Sequence, residues 1–358
     1  MCGGLPQSTP WVVEMLETAI GPVPRISTKL TRTDLWGKIK VRLNIGRMRY
    51  LVQPGLYAVG YPNAESHVLV TANYKLSFDT LRRELAGQNL WILVLNTDGI
   101  NVWCAAGKGT FGTAEIVRQV QETRLADLVI HRELIVPQLG APGVSAHLVK
   151  RLSGFKVTYG PIQAAHLVAF LANSKQANRQ MRTVQFDLRA RLAVVPLELV
   201  MWLRYTLIAA AILILLSCFS DHAFQLSRII SHGPGIALNI GLAFFSGIIL
   251  TPILLPLIPS RAFALKGFLV GLVLAAGTLI FRDAPLTTAE SQLSTAAWLL
   301  IIPAASSFFA MNYTGASTYT SLSGVKAEMK IALPAQTVAG FAGLALWLIG
   351  AGLRMFGS

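Results

Sequence analysis

Few residues in this chain have types and spacings that could do chemistry, and the sulfurs are the scarcest of them. The 358 residues hold three cysteines, Cys2, Cys104 and Cys218. They stand too far apart for a CxxC pair, a zinc site or iron–sulfur ligation. A lone thiol more often packs as a small hydrophobe than reacts, so its surroundings decide. Cys104 lies in Asn101-Val102-Trp103-Cys104-Ala105-Ala106-Gly107-Lys108, just after an apolar strand expected at Trp91–Asn96 and just before a helical stretch. Cys218 falls inside an apolar run and is expected to be inert. Cys2 sits on an exposed terminus, where it could touch a soft metal ion. The six histidines, His67, His131, His147, His166, His222 and His232, show neither HxxxH nor HExxH spacing, so no histidine metal site is expected.

One further string competes for attention. Gly107-Lys-Gly-Thr-Phe-Gly112 matches GxGxxG, the phosphate turn of dinucleotide sites. That turn must follow its strand at once, whereas here about ten residues intervene. No acidic residue stands at a strand end about 20 positions on, Asp127 and Glu133 being poor substitutes. The glycines are instead expected to let backbone pass close to a large flat ligand.

The elements that must position these residues read as an α/β domain. Lys38–Ile45 and Met48–Val52 alternate around Gly46 and predict a hairpin. Val68–Val70 and Trp91–Asn96 predict strands. Ser77–Leu85, with Ser77 as N-cap, and Gly112–Thr123 predict helices. Leu128–Ile130, Ala146–Leu152, Lys156–Tyr159 and Ile162–Leu171 continue the alternation. Strand–helix repetition with short connections implies a mostly parallel, doubly wound, Rossmann-like sheet. Ligands of such sheets bind at the carboxyl ends of the strands. Thr71, Asn101–Lys108, Pro137–Val144 and Tyr159–Pro161 all fall at such ends.

The octapeptide resembles the cap-helix motif of the corrinoid proteins of the microbial mercury-methylation pair, the HgcA family. Thr71-Ala-Asn-Tyr-Lys-Leu-Ser-Phe-Asp79, Pro137-Gln-Leu-Gly-Ala-Pro-Gly-Val144 and Asn312-Tyr-Thr-Gly-Ala-Ser-Thr-Tyr-Thr-Ser-Leu-Ser-Gly-Val325 are similar to family segments in the family's order. The likeness spans about residues 30–330; the octapeptide is its specific part, and the other segments also echo the corrinoid iron–sulfur proteins. The resemblance implies a cobalamin or related corrinoid, cycling between methyl-Co(III) and Co(I), with Cys104 as the lower axial ligand of cobalt. It implies a corrinoid site formed by Thr71, Asn101, Val102, Trp103, Cys104, Ala105, Ala106, Gly107, Lys108, Gln138, Leu139, Gly140, Ala141, Gly143 and Tyr159. The absence of DxHxxG, by which many corrinoid domains supply a histidine, fits a thiolate ligand. The implied activity is methyl transfer to Hg(II). A methyltetrahydrofolate-type donor and a small ferredoxin with two [4Fe-4S] clusters complete the implied system. Corrinoid iron–sulfur proteins carry a cluster on their own large chain, and this sequence departs from them there. Two rival readings are a corrinoid methyl carrier with another acceptor and a membrane transporter with a cytoplasmic regulatory domain.

Composition divides the chain. Residues 1–198 hold 23 Lys and Arg against 13 Asp and Glu, and residues 199–358 hold 8 against 4. The second part has five apolar runs, at 199–219, 235–258, 262–281, 296–314 and 331–353, each near the ~20 residues that span a bilayer. The expectation is a domain at 1–198 followed by an all-α transmembrane domain at 199–358. Pro252 and Pro256 predict a kink in the second run, and Arg204 and Lys266 are expected to snorkel to the headgroups. Met1–Pro24 lacks a signal-peptide pattern, which places the first domain in the cytoplasm and the protein as multi-pass in the inner membrane. Arg189, Arg191, Arg261, Lys266, Lys326 and Lys330 then lie inside, against Arg228, Arg282 and Arg354 outside, as the positive-inside rule asks. The same topology puts the Asn312–Val325 loop on the cytoplasmic side. The basic excess suits anionic membrane lipids and an acidic partner. No nucleic-acid motif accompanies it.

Overall fold

Six apolar residues in a row, Leu90–Leu95, suit only a strand covered on both faces, and the computed structural model buries all six in one strand. The structure describes residues 9–220, 223–280, 286–313 and 322–356. The chain divides into two compact units between Gln185 and Phe186. In chain order the first unit contains β1 (Val12–Thr18), β2 (Gly21–Ile26), α1 (Arg32–Arg42), β3 (Gly55–Val59), β4 (Val68–Ala72), α2 (Lys75–Arg83) and β5 (Leu90–Leu95). It continues with α3 (Val102–Lys108), α4 (Thr113–Glu122), α5 (Leu125–Leu128), β6 (Glu133–Val136), α6 (Ala146–Ser153), β7 (Lys156–Tyr159) and α7 (Leu167–Ala172).

The sheet runs β1-β2-β3-β5-β4-β6-β7. Strands β5, β4, β6 and β7 are parallel, β3 joins β5 antiparallel, and β1 and β2 form an antiparallel hairpin. The result is a mixed sheet, not a purely wound parallel one. Alternation along β5 sends Trp91, Leu93 and Leu95 into one core with Ile116 and Val149, and Leu90, Ile92 and Val94 into a second with Phe78 and Phe170. Helices thus cover both faces. The chain leaves β4 for β5 on one side and β6 for β7 on the other, so the order reverses between β4 and β6. A reversal of this kind opens a crevice at the carboxyl ends.

Three local readings fail for identifiable reasons. The expected hairpin at Lys38–Val52 is α1 followed by a 3₁₀ turn at Arg47–Arg49, and the hairpin of this unit is β1–β2. Thr31 and Asp34 form a capping box, a helix start that outweighs the alternation after it. Ser77 lies inside α2, whose N-cap is Tyr74. Leu128–Ile130 is not a strand: α5 ends at Leu128 and the strand starts at Glu133.

Helices α1 and α2 are joined by buried charge. Arg82, fully buried, donates to Asp34 Oδ2 at 2.7 Å, to Asp79 Oδ1 at 2.8 Å and to the carbonyls of Ser27 and Lys29. Lys75 Nζ donates to both carboxylates at 2.6 Å. Burial alone would raise the Asp34 carboxyl, but Lys75 and the Thr31 amide and hydroxyl outweigh it and hold it well below the usual carboxylate range.

Among its described residues the second unit holds five helices long and apolar enough to cross a membrane, at Leu188–Ser217, Ser227–Leu254, Phe263–Ile280, Ala289–Asn312 and Gly324–Leu353. They are built from α8 (Leu188–Leu192), α9 (Val195–Ser217), α10 (Ser227–Phe245), α11 (Thr251–Leu254), α12 (Phe263–Ile280), α13 (Ala289–Asn312) and α14 (Leu322–Phe356). The unit starts ahead of residue 199 because Arg191 of α8 donates to the carbonyls of Pro252 and Ile253 and so packs with it. A π-turn at Ser246–Leu250 precedes Pro252, whose missing N–H and bulky ring break the regular ladder. Lys266 is buried and donates to the Leu255 carbonyl instead of snorkelling. Small residues bring α12 onto α13: a Cβ at Gly267 or Gly271 would lie within 2.7 Å of Ala310 or Ser306 atoms. Cys2 and residues 314–321 of the Asn312–Val325 segment lie outside the described residues.

Removing Arg82 leaves two buried carboxylates with one cation between them. Arg82→Met should therefore cost about 3–5 kcal/mol of stability, read as a lowered thermal midpoint. Because the folded Asp34 value is depressed, its contribution is complete above the unfolded value of ~3.9 and is lost as pH falls through that value toward the folded one. Acid should thus destabilise the wild type more steeply than Asp34→Asn. An Arg82→Met protein that melts with the wild type would remove the cluster as the tie between α1 and α2.

Candidate functional site

The carboxyl edge of the sheet is organised by one amide. Asn73, 2 % exposed, follows β4 directly. Its Oδ1 accepts from the amides of Thr97 and Gly99, both at 3.0 Å. The single proton of the Thr97 hydroxyl lies between Asn73 Oδ1 at 2.9 Å and the Ile100 carbonyl at 2.7 Å. Asp98 and Gly99 both take positive φ, 54° and 70°, so the chain leaving β5 reverses within two residues. Glu115 of α4 accepts from the Asn96 amide at 2.7 Å and closes the turn from the other side.

The turn delivers Asn101 in extended conformation, and its Oδ1 accepts from the Cys104 amide at 2.9 Å. This N-cap starts α3, with Cys104 at the third helical position. Ala105 and Ala106 are buried in the core and Val102 packs partly against it. Helical spacing turns Cys104, Gly107 and Lys108 to the other side, with Trp103 at its margin. Cys104 is half-buried, and Gly107 and Lys108 are exposed. Gly107, three residues on and on the same face, has nothing within 4 Å of where a Cβ would stand, so the helix surface one turn beyond the thiol is open. Gly109, at φ +85°, ends the helix.

The segment after β6, a 3₁₀ stretch at Gln138–Gly143, lies directly on α3. A Cβ on Gly143 would sit 2.2 Å from the Phe111 carbonyl and 3.0 Å from that of Ala106. One on Gly140 would meet the buried Phe111 ring at 2.4 Å. These glycines therefore serve contact between protein segments, and Gly112 does the same against Gly109. Their closeness is not space kept for a ligand. The GxGxxG string likewise begins within a helix and has no strand immediately before it. Tyr159 donates to the Val144 carbonyl at 2.7 Å, and burial pushes its phenol up. Gln138 accepts from Arg182. Leu139 and Ala141 are half-buried, and Thr71, 4 % exposed, is enclosed within β4 opposite Val94.

Of the sequence-derived residues, the structure gathers Asn101–Lys108 with Gln138–Gly143 and ties Tyr159 to them through Val144; Thr71 stays inside the sheet. Sequence reasoning missed Asn73, Thr97, Phe111 and Glu115. The one available signal was an Asn directly after a strand, a residue type that must satisfy its amide when buried. Among the described residues no group of His, Cys, Asp and Glu could enclose a metal ion. The edge offers a single soft sulfur donor with open helix surface one turn beyond it. Close by, the Thr110 hydroxyl oxygen is buried without a hydrogen-bond partner. Such a donor set suits a metal that brings its other ligands with it, as a large planar complex does.

Residues 43–171 match the family model of the CO dehydrogenase/acetyl-CoA synthase delta subunit. The acetyl-CoA decarbonylase/synthase complex subunit gamma of Archaeoglobus fulgidus is 31% identical over 138 residues, covering 37% of this chain and 29% of its own. The subunit gamma of Methanopyrus kandleri is 35% identical over 123 residues, 34% of this chain and 26% of its own. The corrinoid/iron-sulfur protein large subunit of Moorella thermoacetica is 30% identical over 121 residues, 33% of this chain and 27% of its own. The chain spans less than a third of the length of these relatives. The matched region contains the whole capped edge and stops short of the helical unit.

Two glycines on this edge should respond oppositely to the same change. Gly143→Ala should destabilise the α/β unit by about 1–3 kcal/mol through overpacking. Gly107→Ala, in open space within a helix, should stabilise it by up to about 1 kcal/mol. Asn101→Ala should cost about 1 kcal/mol as a lost cap. Thermal midpoints measure all three, and a neutral Gly143→Ala would contradict the close approach of the two segments.

Proposed function

We propose that this chain is a membrane-anchored corrinoid protein that carries a methyl group and delivers it to Hg(II), with Cys104 as the axial ligand of cobalt. The observation that carries the reading is the half-buried Cys104 thiol on an Asn101-capped helix, at the carboxyl edge and within residues 43–171 that match the CO dehydrogenase/acetyl-CoA synthase delta subunit family model, in a chain that also shows similarity to a corrinoid/iron-sulfur protein large subunit. The corrinoid, when bound, supplies the cobalt on which a methyl group is carried. The residues of the chain set the conditions. Asn101 fixes the backbone beneath the thiol, and Asn73 fixes the turn that positions Asn101. Gly107 leaves the helix surface one turn beyond the sulfur open for a flat ring. Lys108, exposed on the same face as Cys104, offers a cation to polar substituents of the ring. Trp103, half-buried and adjacent to Cys104 in sequence, would exclude water from the sulfur once the ring is bound. Sulfur is a softer and stronger donor than imidazole. As a ligand of the bound group, the Cys104 thiolate would supply electron density that would favour departure of the methyl with its electron pair to an electrophile such as Hg(II).

Transfer of the methyl to Hg(II) with its electron pair would call for two electrons from outside the bound group before another methyl cation could be accepted. Three dispersed cysteines cannot hold a cluster to supply them. The reading therefore includes a small two-cluster ferredoxin as electron donor and a methyltetrahydrofolate-type methyl donor. It also includes insertion of the five apolar helices in the inner membrane, with the α/β unit cytoplasmic. The similarity to acetyl-CoA decarbonylase/synthase subunits favours a second reading, a corrinoid methyl carrier whose acceptor is not mercury.

Purified protein should show corrinoid bands in the visible spectrum. Cys104→Ala should alter those bands and abolish methylmercury formation, whereas Cys218→Ala should do neither. Gly107→Ala should retain less corrinoid while melting higher. Protein loaded with methyl-corrinoid should complete about one turnover without a reductant. Many turnovers with methyl donor alone would mean that the methyl leaves as a cation, and Hg(II) would be excluded as its acceptor. Reporter fusions at residue 190 should read cytoplasmic and at residue 288 external; the reverse result would overturn the orientation.

A further inference from the structure

Helix α1 faces the wrong way for a helix of a water-soluble domain. Its one acidic residue, Asp34, points inward to Arg82 and Lys75, and Val41 joins it in the interior. The face turned to solvent carries Leu35, Trp36 and Ile39, with Trp36 63 % exposed. In the chain just beyond the helix Ile45 and Met48 are also exposed, the latter 65 %. Lys38 and Arg42 flank the stripe on one side and Lys40 on the other, by helical spacing. Arg32, Arg47 and Arg49 add positive charge along the same stretch. In a soluble protein such a stripe, large aromatic included, invites association.

We infer that α1 and the Ile45–Met48 turn are an interfacial anchor that lays the α/β unit on an anionic bilayer surface. Three features select lipid as the occupant. An apolar stripe with an exposed Trp, bordered on both sides by Lys and Arg, is the pattern of helices that lie in the headgroup plane. The charge is complementary, since anionic headgroups attract basic residues at the surface. Finally, the α/β unit ends at Gln185 and an apolar helix long enough to cross a membrane begins at Leu188, so a bilayer is never far along the chain. The role of Asp34 follows: its inward ion pairs, at 2.6 and 2.7 Å, hold the apolar face outward. The inference rests on membrane insertion of the second unit, and not on the corrinoid reading.

The test is hydrogen exchange of the full chain in nanodiscs, without corrinoid. Amides of residues 32–49 should exchange at least about fivefold more slowly in discs containing phosphatidylglycerol than in pure phosphatidylcholine discs or detergent. Amides of Leu90–Leu95 should not change. Raised salt should remove the difference. Lys38→Gln/Lys40→Gln/Arg42→Gln should remove the anionic preference, and Trp36→Ala should weaken protection in every disc. Equal exchange of wild-type 32–49 in all discs and detergent overturns the anchor while leaving the spans intact. Protection that appears only with rising protein concentration, or only on adding an acidic protein, overturns it in favour of a protein occupant. A chain that does not enter discs at all overturns both the anchor and the membrane reading.

Discussion

The Asn73 side chain, one buried amide at the end of β4, fixes where the chain goes after β5. Without a side-chain acceptor there, the Thr97 and Gly99 amides would be buried and unpaired, at a cost of about 1–3 kcal/mol each. The turn would open, and Asn101 would not arrive where its own side chain can cap α3. Everything beyond depends on that arrival. The Cys104 amide, the packing of Ala106 under Gly143, and the tie from Tyr159 to Val144 all presuppose the position of the first turn of α3. A hydrogen bond between two strand ends thus sets the height of a thiol in the next helix.

A second constraint acts on the opposite flank. The Arg82 cluster contains two carboxylates and two cations at 2.6–2.8 Å, and its guanidinium also satisfies two loop carbonyls. Hydrophobic packing alone would turn the apolar face of α1 inward. The paired charges make the opposite orientation possible, because burying Asp34 without them would be prohibitive. Orientation of an element is here decided by electrostatics against the hydrophobic pattern.

These two constraints explain what the sequence revealed and what it hid. The strands β4, β5 and β7 and the helices α4 and α6 were legible, since each shows unbroken apolar runs or helical periodicity. The five apolar helices were legible for the same reason, although α10 and α14 begin well before their apolar stretches. Hydrophobicity marks what sits in hydrocarbon and is silent about how far a helix continues past it. The region Lys38–Val52 was misread because its outward apolar residues imitate a strand alternation, while the cause of its helix lies upstream at Thr31. Cys104 was found because its surroundings form a recognisable string. Asn73 was missed because its partners lie 24 and 26 residues away, and nothing local announces them.

The shortness of α3 carries its own consequence. Seven residues cannot sustain a helix in water, so its existence is lent by the cap at one end and the glycine contact at the other. The surrounding strands are stitched by ladders that do not pass through it. The segment bearing the thiol can therefore breathe as a unit of its own, opening and reclosing while the sheet remains intact. Anything that grips Cys104 in its closed position adds its binding energy to that local equilibrium and stiffens the segment. The sulfur sits on a helix held in place by its neighbours and not by its own length.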